Sequence, residues 1–391
     1  MERRAIVIGA GLAGACVSES LARRGWQIAL IERHLQPAQE ASGNPAGVIL
    51  PRIAKDDALS ARLSRTAYLY ALDKLAQLPD VRWAPCGVLQ LARDPAHESL
   101  QRAAVASARF PESYVRFLER DEASIHTAHA LPVGGWWFPG GGWINPESLC
   151  QALMDRAGSL LTPYFGTEVA TLQRRNQHWH ALDIQGKTIA KAPHVILANA
   201  DAASRLLPHP LPLISVRGQI TYLPSDTIDG LSSVVCRSSY VTPPASGTVC
   251  IGASFDIGDL DPQVRLKDHV DNLARLEEMI PGTTQHIDPS VLQGRVGFRA
   301  TTPDRLPLVG TLPDTMTQPS GEPKLTTLPR LRGVHALLGL GARGVVWAPL
   351  GAELLACQLE GEAMLIEQQL ITAIDAARFH LRALRRGTAP S

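Results

Sequence analysis

Three glycines near the amino terminus, Gly9, Gly11 and Gly14, and an acid at Glu32 have the types and spacing that can hold a dinucleotide. Gly9 makes a tight turn after a short apolar run, Gly11 lets backbone approach a pyrophosphate, and Gly14 lets the following helix pack against the strand. The start of that helix offers unpaired N–H groups and a positive dipole end to phosphate. Glu32 lies 21 residues past Gly11, where a carboxylate accepts the ribose hydroxyls and repels a 2′-phosphate. Beyond it, Ser42, Gly43, Asn44 and Gly47 form a loop of small residues that can lie along the bound molecule. A second glycine set, Gly339, Gly341 and Gly344, leads into another helix, expected to open near Ala348 and Pro349. It suits the far end of a long cofactor, where a helix dipole stabilises developing negative charge. Ahead of it, Arg295 and Arg299 fall on one face of a strand expected within residues 293–310.

These residues need a scaffold, and the surrounding pattern supplies one. Residues 5–8 are too short an apolar run for a helix and read as a strand. A helical stripe follows at 13–24, Gly25 stands where a C-cap belongs, and 26–31 reads as a second buried strand. The glycine spacing alone is weakly specific in a chain with 32 glycines, but strand, turn, helix, strand and acid together make a dinucleotide site. Residues 57–78 read as a long helix, after which the texture turns to short alternating pieces. The stretch 134–150, glycines around Trp136, Trp137 and Trp143, reads as a shaped loop near a ligand, the tryptophans serving as core sooner than as base-stacking platforms. A buried strand within 189–200 brings the chain back over the cofactor, with Asn199 at its end. Alternation resumes across 213–255. The expected fold is α/β, a Rossmann-like domain with an inserted α+β domain on a mainly antiparallel sheet. Residues 1–80, 140–212 and 290–391 are assigned to the first domain, 81–139 and 213–289 to the second.

Composition narrows the partners. The 391 residues, 45% hydrophobic, suffice for two joined cores, and a net charge of +1 gives no global attraction to polyanions, so one must be held by a local patch. The closing basic segment, 377–387, fits either a solvated helix end or a phosphate-contacting patch. Six scattered cysteines without metal-ligand spacing read as reduced cytosolic thiols, so a cytoplasmic location and no metal are expected. No apolar run approaches the length of a membrane span.

In order, GAGLAG with Glu32, the loop at Ser42, the returning strand at Val195, RGQ at Arg217, GFRATTPDRLPLVG around Phe298 and the final glycine loop resemble the D-amino-acid oxidase and glycine oxidase superfamily of FAD enzymes. Within it, ASGNPAGVILP, FPGGGWINPESLC and GLGARGVVWAPLGAELLA are similar to the oxidoreductase half of the bifunctional bacterial tRNA 5-methylaminomethyl-2-thiouridine biosynthesis proteins. The likeness runs through nearly the whole chain. A methyltransferase half precedes the flavin half in those proteins, whereas the first strand here begins within five residues of Met1. The methylation activity is therefore expected to be absent, which leaves a separate methyltransferase as a partner to look for.

The resemblance implies a D-amino-acid oxidase-type fold, a flavoprotein, and oxidative removal of the carboxymethyl group from 5-carboxymethylaminomethyl-uridine at the tRNA wobble position. The products are 5-aminomethyl-uridine and glyoxylate, and the macromolecular partner is the anticodon region of tRNA. The FAD is expected to be noncovalent, since no histidine occurs at 42–51. Cofactor contacts are expected at Gly9, Gly11, Gly14, Glu32, Arg33, Ser42, Asn44, Gly47, Val169, Asn199, Gly339, Gly341 and Gly344. Arg299 matches the family's carboxylate-binding arginine, Tyr240 matches the tyrosine of its YxxP-type strand, and Arg343 can face either flavin or substrate. Arg52, Lys55, Arg62, Arg65 and the C-terminal arginines are the basic residues expected along the tRNA rim. Two other readings stay open: an oxidase of free glycine, sarcosine or D-amino acids, and a flavin-bearing tRNA-binding module without turnover.

Overall fold

The structure, a computed structural model, describes residues 2–54, 56–245 and 247–387. The chain divides into two compact units, residues 1–43, 147–215 and 299–391 in unit 1 and residues 44–146 and 216–298 in unit 2.

Unit 1 is built on a six-stranded sheet. Its strands are β1 (Arg4–Ile8), β2 (Gln27–Ile31), β3 (Leu161–Tyr164), β4 (His194–Leu197), β5 (Leu308–Pro313) and β6 (Arg330–Leu338). The spatial order is β5-β6-β4-β1-β2-β3, with every pairing parallel except β5 against β6. Chain order reverses at β1, which lies between β2 and β4, and in open parallel sheets ligands bind beyond the carboxyl ends of the strands at such a reversal. Helix α1 (Leu12–Ala22) is buried along its whole length, its polar Ser18, Glu19 and Ser20 included, so in place of the expected single stripe it is covered on all sides. It packs on α2 (Gly344–Glu360), buried nearly as completely. Gly25, at φ +79°, ends the first helical segment as its position suggested, and Gly361, at φ +70°, caps α2. Ile6, Val7, Leu30, Val195 and Leu197 are fully buried, and each such side chain contributes about 2 kcal/mol on leaving water.

Unit 2 carries a nine-stranded sheet among the described residues. Six of its strand pairings run antiparallel and one, Val234–Cys236 with Val88–Leu91, runs parallel, in keeping with the mainly antiparallel expectation. The helices Leu59–Ala76 and Leu266–Met279 belong to this unit.

Three features differ from the sequence reading. Residues 44–80 group with unit 2, not with the nucleotide-binding unit, because the strand Gly47–Ile49 pairs antiparallel with Gly142–Ile144 and Tyr68 packs edge-on against Tyr114. The tryptophan stretch is not an irregular loop but two strands, Gly135–Phe138 and Gly142–Ile144. Its glycines permit close strand approach: a Cβ on Gly142 would stand 1.9 Å from the Ala84 carbonyl oxygen, and one on Gly135 2.3 Å from that of Gln90. Finally, α2 opens at Gly344, five residues before Pro349, which lies inside the helix. Burial on all sides holds this turn together despite the hydrogen bond that proline removes.

Candidate functional site

The opening turn is assembled by backbone. Gly9 takes φ +100°, donates its N–H to the Ile31 carbonyl at 2.8 Å, and leaves no room for a side chain, since a Cβ would lie 2.8 Å from the Ala198 oxygen. A Cβ on Gly14 would lie 1.8 Å from the Gly9 oxygen, so only glycine lets α1 close on the turn. Gly11 is the N-cap residue of α1 and has no side chain to satisfy the first amides. Ser42 stands over it, its Oγ accepting the Leu12 N–H at 3.2 Å.

Glu32 ends β2 and is 9% exposed. Its Oε2 accepts the Ala10 N–H at 2.8 Å and its Oε1 accepts the His34 N–H at 2.9 Å. Each oxygen retains lone-pair capacity for a hydroxyl donor such as a ribose. Asn199 follows β4, with its Cα where a Cβ of Gly9 would be 2.9 Å away, and its side-chain oxygen is buried without a hydrogen-bond partner. An orphaned acceptor, a cradle that a single methyl would fill and a carboxylate at the end of β2 together fit an adenine dinucleotide. Arg33 pairs with Glu40, whose Oε1 also lies 2.7 Å from His34 Nε2, fixing the connection between Glu32 and Ser42.

The closing loop meets the opening one. Gly339 and Gly341 take φ +70° and +55°, and a Cβ on Gly344 would touch Leu12 Cδ1 at 3.1 Å. Arg343 is half-buried in the turn of 3-10 helix, Gly341–Arg343, that feeds α2. The strand Gln293–Thr301 ends against this loop: Thr301 bridges Leu340, and its Oγ1 would lie 3.2 Å from a Cβ on Gly341. Strand alternation puts Arg299, two residues earlier and half-buried, on the face that Thr301 turns toward the closing loop.

The remaining expected residues have the following surroundings. Val169 is 8% exposed, its side chain in the core cluster that includes Ile31 and Leu197. Asn44 and Gly47 belong to unit 2, where Asn44 Oδ1 accepts from Arg295 at 3.4 Å and Gly47 pairs with Ile144 in a sheet. Tyr240 is half-buried in unit 2, its hydroxyl 3.5 Å from the Ala46 carbonyl. Of the basic residues named for tRNA, Arg65 pairs with Asp57 at 2.6 Å, Arg52 is exposed, and Lys55 lies outside the described residues. Arg378, in the C-terminal basic segment, is 3% exposed and paired with Asp304. Sequence reasoning gave no signal for that pair, whose members stand 74 residues apart.

Among the described residues no group of three or more His, Cys, Asp or Glu is placed to hold a metal ion, and no helix is long and apolar enough to cross a membrane.

Known proteins resemble this chain in sequence and in fold. The chain is 44% identical over 389 residues to the "tRNA 5-methylaminomethyl-2-thiouridine biosynthesis bifunctional protein MnmC" of Azoarcus sp. (strain BH72), a match covering 98% of this chain and 61% of that protein. The corresponding protein of Aromatoleum aromaticum is 45% identical with the same coverage, so the chain spans about three fifths of the length of these relatives. Among solved structures, glycine oxidase from Geobacillus kaustophilus superposes with a TM-score of 0.76 at 21% identity, covering 96% of this chain and 99% of that one. Iminodiacetate oxidase from Chelativorans sp. BNC1 superposes with a TM-score of 0.73 at 25% identity over 93% and 97% of the two chains. The profile of the FAD dependent oxidoreductase family, DAO, matches residues 4–358. With the cradle, the acid and the second glycine loop in place, this chain belongs to the DAO family of FAD-dependent oxidoreductases, and its cofactor is FAD.

Proposed function

We propose that the protein removes the carboxymethyl group from 5-carboxymethylaminomethyl-(2-thio)uridine at the tRNA wobble position, giving 5-aminomethyl-uridine and glyoxylate. The observation that carries this reading is identity of 44–45% over 98% of the chain to the bifunctional tRNA proteins. The modified base bears an N-substituted glycine, so the chemistry required is that of an amine oxidase. Bound FAD, proposed to be noncovalent, would supply the acceptor for the two electrons and one proton that leave the N–CH2 carbon together as hydride. Water then adds to the C=N bond so formed, releasing the amine and glyoxylate.

The chain's own groups bind and orient. Arg299 holds the substrate carboxylate, its planar fork matching both oxygens, and so keeps the methylene within reach of the acceptor. Arg343, borne by the loop that Thr301 abuts, can face either flavin or substrate. Tyr240 is assigned to the substrate on the strength of the YxxP resemblance. Gly9, Gly11, Gly14, Glu32, Ser42 and Asn199 hold the adenosine and pyrophosphate end, and the α2 N-terminus faces the other end. Arg33, Val169, Asn44 and Gly47 complete the proposed cofactor set. A tRNA substrate fits a cytoplasmic location, and a methyltransferase is the proposed partner for the later methylation.

The iminodiacetate oxidase likeness favours a second reading, oxidation of a small free N-carboxymethyl amine. Anaerobic mixing separates the two. Bleaching of the oxidised flavin by tRNA carrying the carboxymethylaminomethyl group, with glyoxylate release, is the expected result. Bleaching by iminodiacetate or glycine but not by that tRNA would overturn the first reading. Arg299→Ala is expected to lower kcat/KM by about a hundredfold, as for loss of one partner of a desolvated charge pair.

A further inference from the structure

The last helix, α3 (Arg378–Arg386), lies beyond the stretch that the family profile matches, yet its first residue reaches into the loop behind the substrate-binding strand. Arg378 donates from Nε and Nη2 to the two carboxylate oxygens of Asp304, at 3.0 and 2.7 Å. The same guanidinium donates to the carbonyls of Leu306 at 2.8 Å and Pro307 at 2.9 Å. Asp304 in turn accepts the Leu306 N–H, and the Thr302 hydroxyl lies 3.0 Å from Asp304 Oδ1 and 2.7 Å from the Leu306 carbonyl. Thr302 is fully buried, and its methyl would stand 2.8 Å from a Cβ on Gly339. Arg330 holds the base of α3 by pairing with Asp375 through both nitrogens, at 2.9 and 3.0 Å. Burial raises the Asp304 carboxyl, but the hydrogen bonds and charge of Arg378 more than offset this and bring it down to about 2, so the carboxylate is ionised at neutral pH.

The chain of contacts ends at the residues that matter. Thr302 is three positions after Arg299, and Thr301 between them rests on Gly341. We propose that Arg378 is a positioning residue, which sets the end of the Arg299 strand and the closing glycine loop through Asp304 and Thr302. It touches neither substrate nor cofactor. This rests on the reading that Arg299 holds a carboxylate.

The test uses the full, FAD-loaded chain and acetate, a carboxylate with no oxidisable amine, titrated against the visible flavin spectrum, alongside KM and kcat with the modified tRNA and a thermal melt. Arg378→Ala is expected to weaken acetate binding and raise KM about tenfold each, with kcat changed less, at temperatures well below its melt. Asp304→Asn is expected to give the same change, with the double variant no worse than either single, and carries the test alone if Arg378→Ala does not fold. Arg378→Lys, which lacks the fork, recovers only part of the loss. Arg385→Ala, on the same helix and exposed, is expected to leave acetate binding and the melt unchanged. A lowered melting temperature with acetate binding and KM unaltered in both Arg378→Ala and Asp304→Asn would overturn the proposal and leave a structural anchor. If Arg299→Ala abolishes acetate binding while those two keep it, this inference alone falls. If Arg299→Ala binds acetate normally, the reading of Arg299 falls and takes this inference with it.

Discussion

The two glycine turns of unit 1 serve the same kind of purpose and are shut by different materials. At the opening turn the neighbours of Gly9 and Gly14 are backbone: the Gly9 oxygen is 1.8 Å from a Cβ on Gly14, and the Ala198 oxygen is 2.8 Å from one on Gly9, Gly11 alone facing a side chain, that of Ser42. At the closing turn they are side chains, Thr302 Cγ2, Thr301 Oγ1 and Leu12 Cδ1, at 2.8, 3.2 and 3.1 Å. Backbone fixed in a parallel sheet cannot retreat, whereas a side-chain terminus can shift by a few tenths of an ångström. The opening turn is therefore set by the fold itself, and the closing turn by what packs behind it. That is where Arg378 and Asp304 act.

The comparison breaks most sharply at Gly14. Gly14→Ala drives a methyl into the Gly9 carbonyl, and helix and turn must part. The expected outcome is protein that purifies without yellow colour and loses about 3 kcal/mol of stability, read by flavin absorbance and urea unfolding. Normal FAD content in this variant would show that the opening turn yields as readily as the closing one.

Acid distinguishes the strands that carry the two turns. β1 is wholly apolar where buried, but β6, which runs into the closing loop, carries His335. His335 Nε2 lies 3.1 Å from His194 Nδ1, and its Nδ1 lies 3.1 Å from Thr311 Oγ1. Burial, with a smaller contribution from His194, holds the imidazole down at about 3. A folded-state value below the unfolded 6.5 means that the stabilisation is complete above pH 6.5 and is lost progressively as pH falls toward 3. Between pH 6.5 and pH 4 the loss amounts to about 3 kcal/mol. Denaturant unfolding at pH 7 and pH 4 should show it, and His335→Gln should remove most of the difference.

Legibility follows the same division. The first turn was readable because Gly14 answers a backbone constraint five residues away, at Gly9, and because strand, turn, helix and acid all fall within residues 4–32. The closing loop was readable as glycines but not in its boundaries: Pro349 suggested a helix start that burial overrides, and the true opening is at Gly344. In the tryptophan stretch, Gly135 and Gly142 looked like strand breakers and are close-approach positions within strands, because the partner carbonyls they admit are far away in sequence. Arg378 with Asp304 and His194 with His335 had no signal at all, since pairs separated by 74 and 141 residues obey no local period.

The smallest effects sharpen the contrast within the closing turn. Gly341→Ala meets a positive φ of +55°, at about 1–2 kcal/mol for a residue with a Cβ, and also Thr301 Oγ1. It should weaken FAD binding by about tenfold, measured by fluorescence on dilution. Gly344 differs from it because it is already helical, so alanine gains up to about 1 kcal/mol of helix preference and meets only the movable Leu12 Cδ1. These oppose each other at similar size, and Gly344→Ala is expected to bind FAD within about twofold of the parent and to melt within about 2 °C of it. A Gly344→Ala loss as large as that of Gly14→Ala would mean that Leu12 is as immobile as backbone, and that the second turn is shut by the same material as the first.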